Sequence, residues 1–324
     1  MTTVAVLTTG GTIASSADAT GAKVAGVSGA ELLDGVDLPA GVQVQVRDVL
    51  SKNSAALTLA DLDVIRRAVA AALAEGVDGV VLTHGTDTTE ETAFLLDLVH
   101  DDPRPVVLTG AQRGADEPNT DGPGNLRDAL AVAADPAARG LGVLVVFDGA
   151  VHAARGTRKM HTLASAPFAD PELGAVGRVV LGELVVQRPP QRPAPLSGLT
   201  DLADVRVDVV ALYPGADATA LDACAAAGAR GLVLEAPGLG NANPTVVAAV
   251  RRHVQRGVHV LLSSRVPAGP LRAVYGGGGG GRDLVAAGAV LTGTLRPSQA
   301  RVQLAALLAA GADDTQVRTA FAAS

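Results

Sequence analysis

The sequence predicts an α/β fold in two domains, a larger N-terminal one with a mainly parallel sheet and a smaller C-terminal one. Three observations predict it. Short β-branched runs alternate with alanine- and leucine-rich stretches of helical spacing, the rhythm of parallel βαβ units. The 324 residues exceed the usual size of one domain, roughly 100 to 200 residues. A proline-rich stretch, QRPPQRPAPLSGL at 187–199, interrupts the rhythm, and prolines there remove backbone donors and favour an extended connection.

Taken in order, residues 4–7, 79–83, 105–108 and 142–147 read as buried strands, with helical periodicity over 59–75 and 125–134 between them. These elements form an α/β domain over 1–186. Residues 187–204 read as the linker. Beyond it, strands at 205–211, 231–235 and 259–263 alternate with helices at 218–227 and 244–255, giving a second domain over 205–324. The lone cysteine, Cys224, falls on the first of these helices and reads as a small core residue.

Composition narrows the function classes. Hydrophobic residues make up 48% and charged residues 18%, enough apolar surface for a large core and too little charge for a disordered tail. A formal charge of −7 without a basic block repels phosphate backbones, so nucleic acid is not the expected partner and a small molecule is. No apolar run reaches the roughly 18 residues of a membrane helix, and MTTVAVLTTGG lacks the basic start and long apolar stretch of a secretory signal. A soluble, cytoplasmic protein without membrane association is expected. One cysteine permits no internal disulfide, and the six histidines are scattered, so neither a metal nor another cofactor is expected. The glycine run at 276–281 satisfies a dinucleotide pattern only trivially and reads as a flexible surface loop.

Two segments carry chemistry. The strand VAVL runs directly into Thr8-Thr-Gly-Gly-Thr-Ile-Ala14, and in parallel sheets ligands bind beyond the carboxyl ends of strands. Paired glycines, Gly10 and Gly11, let the backbone approach a ligand, and Thr12 then presents its hydroxyl there as a candidate nucleophile, with a turn cap as the alternative. The second segment, Val80-Val-Leu-Thr-His-Gly-Thr-Asp-Thr-Thr-Glu-Glu-Thr-Ala93, repeats the arrangement. Thr88 or Thr89 with Glu91 reads as a helix cap and first-turn acid, which leaves the earlier pair Thr86-Asp87 unexplained by capping.

Both segments resemble the two signatures of the bacterial-type asparaginase and glutaminase family. The likeness continues through Leu108-Thr-Gly-Ala-Gln112, residues 115–126, Gly238-Leu-Gly-Asn-Ala-Asn243 and Gly293-Thr-Leu-Arg-Pro297, covering essentially the whole chain. The resemblance implies hydrolysis of L-asparagine to L-aspartate and ammonia, with Thr12 forming an acyl-enzyme and Thr86, Asp87 and Lys159 forming the second catalytic group. It also implies substrate contacts from Gly11, Ser54, Thr86, Asp87, Ala111 and Asn243, with Ser51 the competitor of Ser54. A homotetramer or homodimer follows from it too, in which Asn241 and Asn243 line a partner's pocket. A threonine hydroxyl needs a base or a neighbouring charge to act as a nucleophile, and Lys159 beside Asp87 could supply one.

In its first loop the chain departs from the pattern of the family it resembles. Many members carry a tyrosine in the loop after the first signature, and residues 15–28 contain none; Ala22 stands at the aligned position, leaving Lys23, Lys52 or a water as substitutes. Glutamine hydrolysis is the alternative activity, because one methylene is worth only about 1–3 kcal/mol in an apolar pocket. A non-catalytic amino-acid sensor is the alternative from another class, favoured by the missing tyrosine.

Overall fold

The computed structural model describes residues 1–17 and 23–322, with the side chains of 17 and 23–25 left aside. The chain folds as two compact units, the first from Met1 to Pro195 and the second beginning at Leu196. The proline-rich segment up to Pro195 belongs with the first unit. Within it, the Arg192 guanidinium donates to Asp97 Oδ1 at 2.8 Å and to the His100 carbonyl at 2.8 Å.

The first unit carries β1 (Thr2–Gly10), β2 (Ser15–Ala17), β3 (Lys23–Ala25), β4 (Val42–Lys52), β5 (Gly79–Thr83) and β6 (Val106–Thr109). It continues with β7 (Val143–Phe147), β8 (Ala150–Ala153), β9 (Arg158–Lys159), β10 (Phe168–Ala169), β11 (Gly177–Val180) and β12 (Glu183–Val186). Among the described residues, eight of these form one sheet in the order β12-β11-β8-β7-β6-β5-β1-β4. From β4 to β7 neighbouring strands are parallel; β8, β11 and β12 then add antiparallel. Its helices are α1 (Gly29–Leu33), α2 (Leu59–Ala74), α3 (Thr89–Val99) and α4 (Gly122–Ala134).

The strands β1, β5, β6 and β7 read as unbroken apolar runs because both faces are covered. Alternate residues feed opposite cores. Val4, Val6, Val81 and Val107 pack with Leu126, Ala129 and Leu130 of α4, whereas Ala5, Leu7, Val80 and Leu82 pack with Ile65 and Val69 of α2 and Ala93 and Leu96 of α3. At the edge, β4 alternates half-buried and exposed residues over most of its length, VQVQVRDVLSK, as a strand with one covered face does. The helix α2 starts at a capping box, Thr58 with Asp61, which satisfies two of its free backbone donors reciprocally.

The second unit holds a parallel sheet of β13 (Val207–Ala211), β14 (Gly231–Ala236), β15 (His259–Ser264) and β16 (Val290–Leu291), in that order. Around it lie α5 (Thr219–Ala226), α6 (Pro244–Val254), α7 (Gly281–Ala286), α8 (Pro297–Ala309) and α9 (Asp314–Ala322). Its core joins Leu232, Leu234, Val260 and Leu262 to Val246 and Val250 of α6. Cys224 lies on α5, half-buried rather than in the core. The glycine run is tied down: the amides of Gly278 and Gly280 donate to Asp283 Oδ2 at 2.8 and 2.9 Å, and Ala242 donates its amide to the Gly279 carbonyl. No described helix is long and apolar enough to cross a membrane.

The packing of β5 under α4 leaves no space for a side chain at Gly79, where an added Cβ would stand 2.2 Å from the Ala133 carbonyl oxygen. Replacing Gly79 with Ala forces backbone apart and is expected to cost about 1–3 kcal/mol or more of stability, read by denaturant unfolding. Unchanged stability would show that helix and strand separate freely here.

Candidate active site

Strand order places the site. From β1 the chain moves to one side to form β4, then crosses back to lay down β5, β6 and β7 on the other side, so β1 and β5 flank the point where the winding reverses. The carboxyl ends of strands at such a reversal form the crevice of doubly wound sheets. Here these ends carry Gly10-Gly11-Thr12 and His84-Gly85-Thr86-Asp87.

The two loops meet backbone to backbone. A Cβ on Gly11 would lie 2.4 Å from Gly85 Cα, and one on Gly85 would lie 2.6 Å from Ser54 Oγ, so Gly11 must be glycine for the two loops to meet and Gly85 for Ser54 to sit against it. Gly11 also sits at φ +83°, a conformation other residues rarely adopt. Beneath the contact, the Thr9 hydroxyl donates to the Thr83 carbonyl at 2.9 Å, tying the two strand ends together. Thr12 opens a short 3₁₀ turn, Thr12–Ala14, locked by the Ser15 hydroxyl donating to the Gly11 carbonyl at 2.8 Å. The outcome is a polar cleft of about 80 Å³ lined by Gly11, Thr12, Ser15, Asn53, Ser54, Gly85, Thr86 and Asp87.

Lys159, distant in sequence, arrives on β9. Its Nζ donates to Thr86 Oγ1 at 2.8 Å and to Asp87 Oδ1 at 2.7 Å, and its backbone amide donates to Glu90 Oε2 at 2.8 Å. The ammonium is largely shielded, with its side chain 17% exposed, while Asp87 is 56% exposed and faces the opening. A threonine hydroxyl, a carboxylate and an ammonium are thus bonded together at the wall of the cleft that Thr12 also lines, the set needed to move a proton and to hold a charged substrate. Among the described residues, no group of three or more histidine, cysteine or acidic side chains could hold a metal ion.

Of the other residues singled out in the sequence, Ser54 is buried in the cleft wall at the start of a 3₁₀ turn, whereas Ser51 lines a neighbouring cavity with Asp48. Ala111 is buried in the core against Leu126 and does not line the cleft with its side chain. Asn243 lies in the second unit as the N-cap of α6: its Oδ1 accepts from the Val246 amide at 3.0 Å, and its Nδ2 donates to the Ala216 carbonyl. The Asn241 Oδ1 accepts from the Gly281 amide. Lys52 is engaged with Asp61 at 2.6 Å. Ala22 and the Lys23 side chain lie outside the described residues.

The expected cap of α3 is corrected. Thr88 precedes the helix without a capping hydrogen bond, because its hydroxyl donates to the Ser54 carbonyl at 2.9 Å, and the Thr89 hydroxyl turns back to the Gly85 carbonyl at 2.9 Å. Both threonines brace the site loops. One polar neighbour that sequence reading passed over is Gln112, whose Oε1 accepts from the Thr86 hydroxyl at 3.1 Å.

His84 braces the same turn from below. It is fully buried, with Nδ1 2.8 Å from the Gly85 carbonyl and Nε2 3.0 Å from the Thr92 hydroxyl. The carbonyl can only accept, so Nδ1 carries the proton and Nε2 accepts from Thr92. Burial pushes the imidazole pKa down to about 4, against the hydrogen bond to Gly85, which raises it. A lowered folded-state value means that the unfolded chain binds the extra proton between about pH 6.5 and 4, so stability is intact above that window and falls through it as pH drops. Replacing His84 with Gln is expected to remove a pH-dependent loss on the order of 3 kcal/mol from the unfolding profile. His100 and His152, lowered by burial as well, keep a residual slope. An unaltered profile would show that His84 does not carry it.

Comparison with known proteins finds relatives across both units. The family model for the asparaginase N-terminal domain matches residues 3–192, and that for the glutaminase/asparaginase C-terminal domain matches residues 206–321. The L-asparaginase of Bacillus licheniformis is 34% identical over 316 residues, covering 94% of this chain and 95% of that protein. The "Probable L-asparaginase" of Deinococcus radiodurans is 38% identical over 323 residues, covering 98% and 96%. A glutaminase-asparaginase of Pseudomonas fluorescens biotype A is 34% identical, covering 82% and 76%. The crystal structure of "Probable Cytoplasmic L-asparaginase" from Campylobacter jejuni superimposes with a TM-score of 0.89 at 28% identity, covering 99% of both chains. With both of its halves matched and relatives of this similarity along nearly its full length, the chain belongs to the asparaginase family.

Proposed function

We propose that the protein is an L-asparaginase that hydrolyses L-asparagine to L-aspartate and ammonia through an acyl-enzyme on Thr12. The observation that carries this reading is that Thr12, Thr86 and Asp87 line one polar cleft, with Lys159 Nζ behind them, 2.8 Å from Thr86 Oγ1 and 2.7 Å from Asp87 Oδ1. The match of relatives named as L-asparaginases supports the substrate.

In this reading Asp87 holds the substrate's α-ammonium, and Ser54 with the Gly11 backbone hold its α-carboxylate, as charge-assisted hydrogen bonds favour. Thr86 and the backbone around Ala111 frame the side-chain amide. The Thr12 oxygen attacks the amide carbon. Its proton passes to Thr86 as Thr86 gives its own to Lys159 and Lys159 gives one to the Asp87 carboxylate, and the relay reverses to protonate the amide nitrogen as the carbon–nitrogen bond breaks, so that neutral ammonia departs. Water then adds to the ester carbon, releasing aspartate and restoring the Thr12 hydroxyl. Backbone N–H groups near Thr12 and Thr86 stabilise the oxyanion in both halves of the reaction.

Glutamine is the second substrate to consider, because a relative 34% identical is named a glutaminase-asparaginase. The working enzyme is a homotetramer or homodimer located in the cytoplasm, with Asn243 near a partner's site; full activity in a species sedimenting as a monomer would contradict the assembly. No metal or other cofactor takes part.

Ammonia release from asparagine and from glutamine, measured side by side, tests the chemistry. Thr12→Ala is expected to lower kcat by a factor on the order of 10³ or more while the fold is retained, and Lys159→Met by roughly 10² or more. Full turnover in Thr12→Ala would remove Thr12 as the nucleophile. Tight asparagine binding by the wild type without ammonia release would instead mark an amino-acid sensor.

A further inference from the structure

The loops that carry Thr12 and Thr86 are pinned in the same way. The Gly11 carbonyl accepts from the Ser15 hydroxyl at 2.8 Å and from the Ala14 amide at 3.0 Å. The Gly85 carbonyl accepts from the Thr89 hydroxyl at 2.9 Å and from His84 Nδ1 at 2.8 Å. In each loop a buried hydroxyl four residues further on returns to the glycine, and the residue after that glycine lines the cleft.

Holding a carbonyl also aims an amide. Across a planar trans peptide, the carbonyl of one residue and the N–H of the next point in opposite directions, so a carbonyl fixed at two points fixes the N–H behind it. The Gly11 carbonyl thereby sets the Thr12 amide, and the Gly85 carbonyl sets the Thr86 amide. Such restraint is needed here, because neither glycine has a Cβ to limit rotation of its peptide plane, and Gly11 sits at φ +83° after Gly10 at φ +97°. The neighbouring donors of the first loop are already used: the Gly11 amide donates to the Lys52 carbonyl at 3.2 Å and the Ala14 amide to Gly11 itself. Among the described residues, no acceptor takes the Thr12 or the Thr86 amide proton.

We propose that Ser15 and Thr89 are positioning residues, which clamp the two glycine carbonyls so that the Thr12 and Thr86 amides face the cleft and donate together to the oxyanion. This rests on the acyl-enzyme reading given above, which draws its oxyanion donors from the backbone at these two threonines. Donors held in place before the charge develops stabilise it without having to reorient. Removing one hydroxyl leaves its carbonyl with a single donor and its peptide free to swing. Neither clamp is bonded to Asp87 or to the Ser54 side chain, so ground-state binding of the amino acid is preserved and the cost falls on turnover.

Steady-state ammonia release from asparagine, with L-aspartate as a competing ligand, tests the proposal. Ser15→Ala and Thr89→Val each remove a hydroxyl at nearly constant shape. Both are expected to lower kcat roughly 5- to 50-fold, with KM and the L-aspartate inhibition constant within about threefold of wild type. Thr89→Ser, which keeps the hydroxyl, is expected to stay within about threefold of the wild-type kcat. An unchanged kcat in either Ser15→Ala or Thr89→Val, a weakening of L-aspartate as large as the loss of kcat, or a Thr89→Ser variant as slow as Thr89→Val overturns the proposal. If Thr89→Val does not fold, Ser15→Ala decides by the same measurements. Retained turnover in Thr12→Ala would instead overturn the acyl-enzyme reading on which the proposal stands.

Discussion

Everything in the first unit's site depends on the contact between two glycines. Gly11 and Gly85 follow neighbouring parallel strands, and their backbones approach so closely that a Cβ on Gly11 would drive the loops apart, while one on Gly85 would strike Ser54. The contact is possible because β1 and β5 pair in register from Val4 with Gly79 to Thr8 with Thr83, so both strands reach the sheet's edge at the same height. Each loop then turns outward with a threonine at its crest. A chain with Gly11 replaced would keep its strands but push the Thr12 loop away from the Thr86 loop.

Around that contact the fold supplies charge from elsewhere. The short β9–β10 pair carries Lys159, and Glu90 at the start of α3 holds the Lys159 backbone amide, so the ammonium is delivered to Thr86 by an element with little else to do. Shielding of the ammonium strengthens its two hydrogen bonds, because a lower local dielectric weakens screening. Beneath the turn, His84, Thr89 and Thr92 form a buried polar support whose hydrogen bonds are satisfied by one another and by the Gly85 carbonyl. The site is therefore rigid in its lower layer and open above Asp87.

Much of this was legible in the sequence, for physical reasons that differ by element. Strands β1, β5, β6 and β7 are covered on both faces and announce themselves as apolar runs, and the glycine-threonine turns that follow them mark the ligand edge. The antiparallel β8, β11 and β12 were not read, because strands of four residues carry too little pattern, whereas β4 was passed over although its VQVQV alternation carries the period-2 signal. Thr88 and Thr89 fit a capping pattern, yet their hydroxyls bind carbonyls of the site loops instead, a tertiary choice no local pattern encodes. Ser54 and Ser51 are three residues apart and alike in type; only the 3₁₀ turn after Asn53 directs one into the cleft. Lys159 was found through family resemblance alone, since a lone lysine among arginines carries no signal, and the contact of Gln112 with Thr86 was not read because it joins residues distant in sequence.

The central claim is that Thr12, and not Thr86, carries the acyl group. Mixing the enzyme with asparagine, quenching in acid during turnover and mapping peptides by mass spectrometry tests this directly. The account predicts a mass gain of one aspartyl group on the peptide ending at Lys23, localised to Thr12. An aspartyl group on Thr86, or undiminished turnover with the Thr12 peptide never modified, would contradict it.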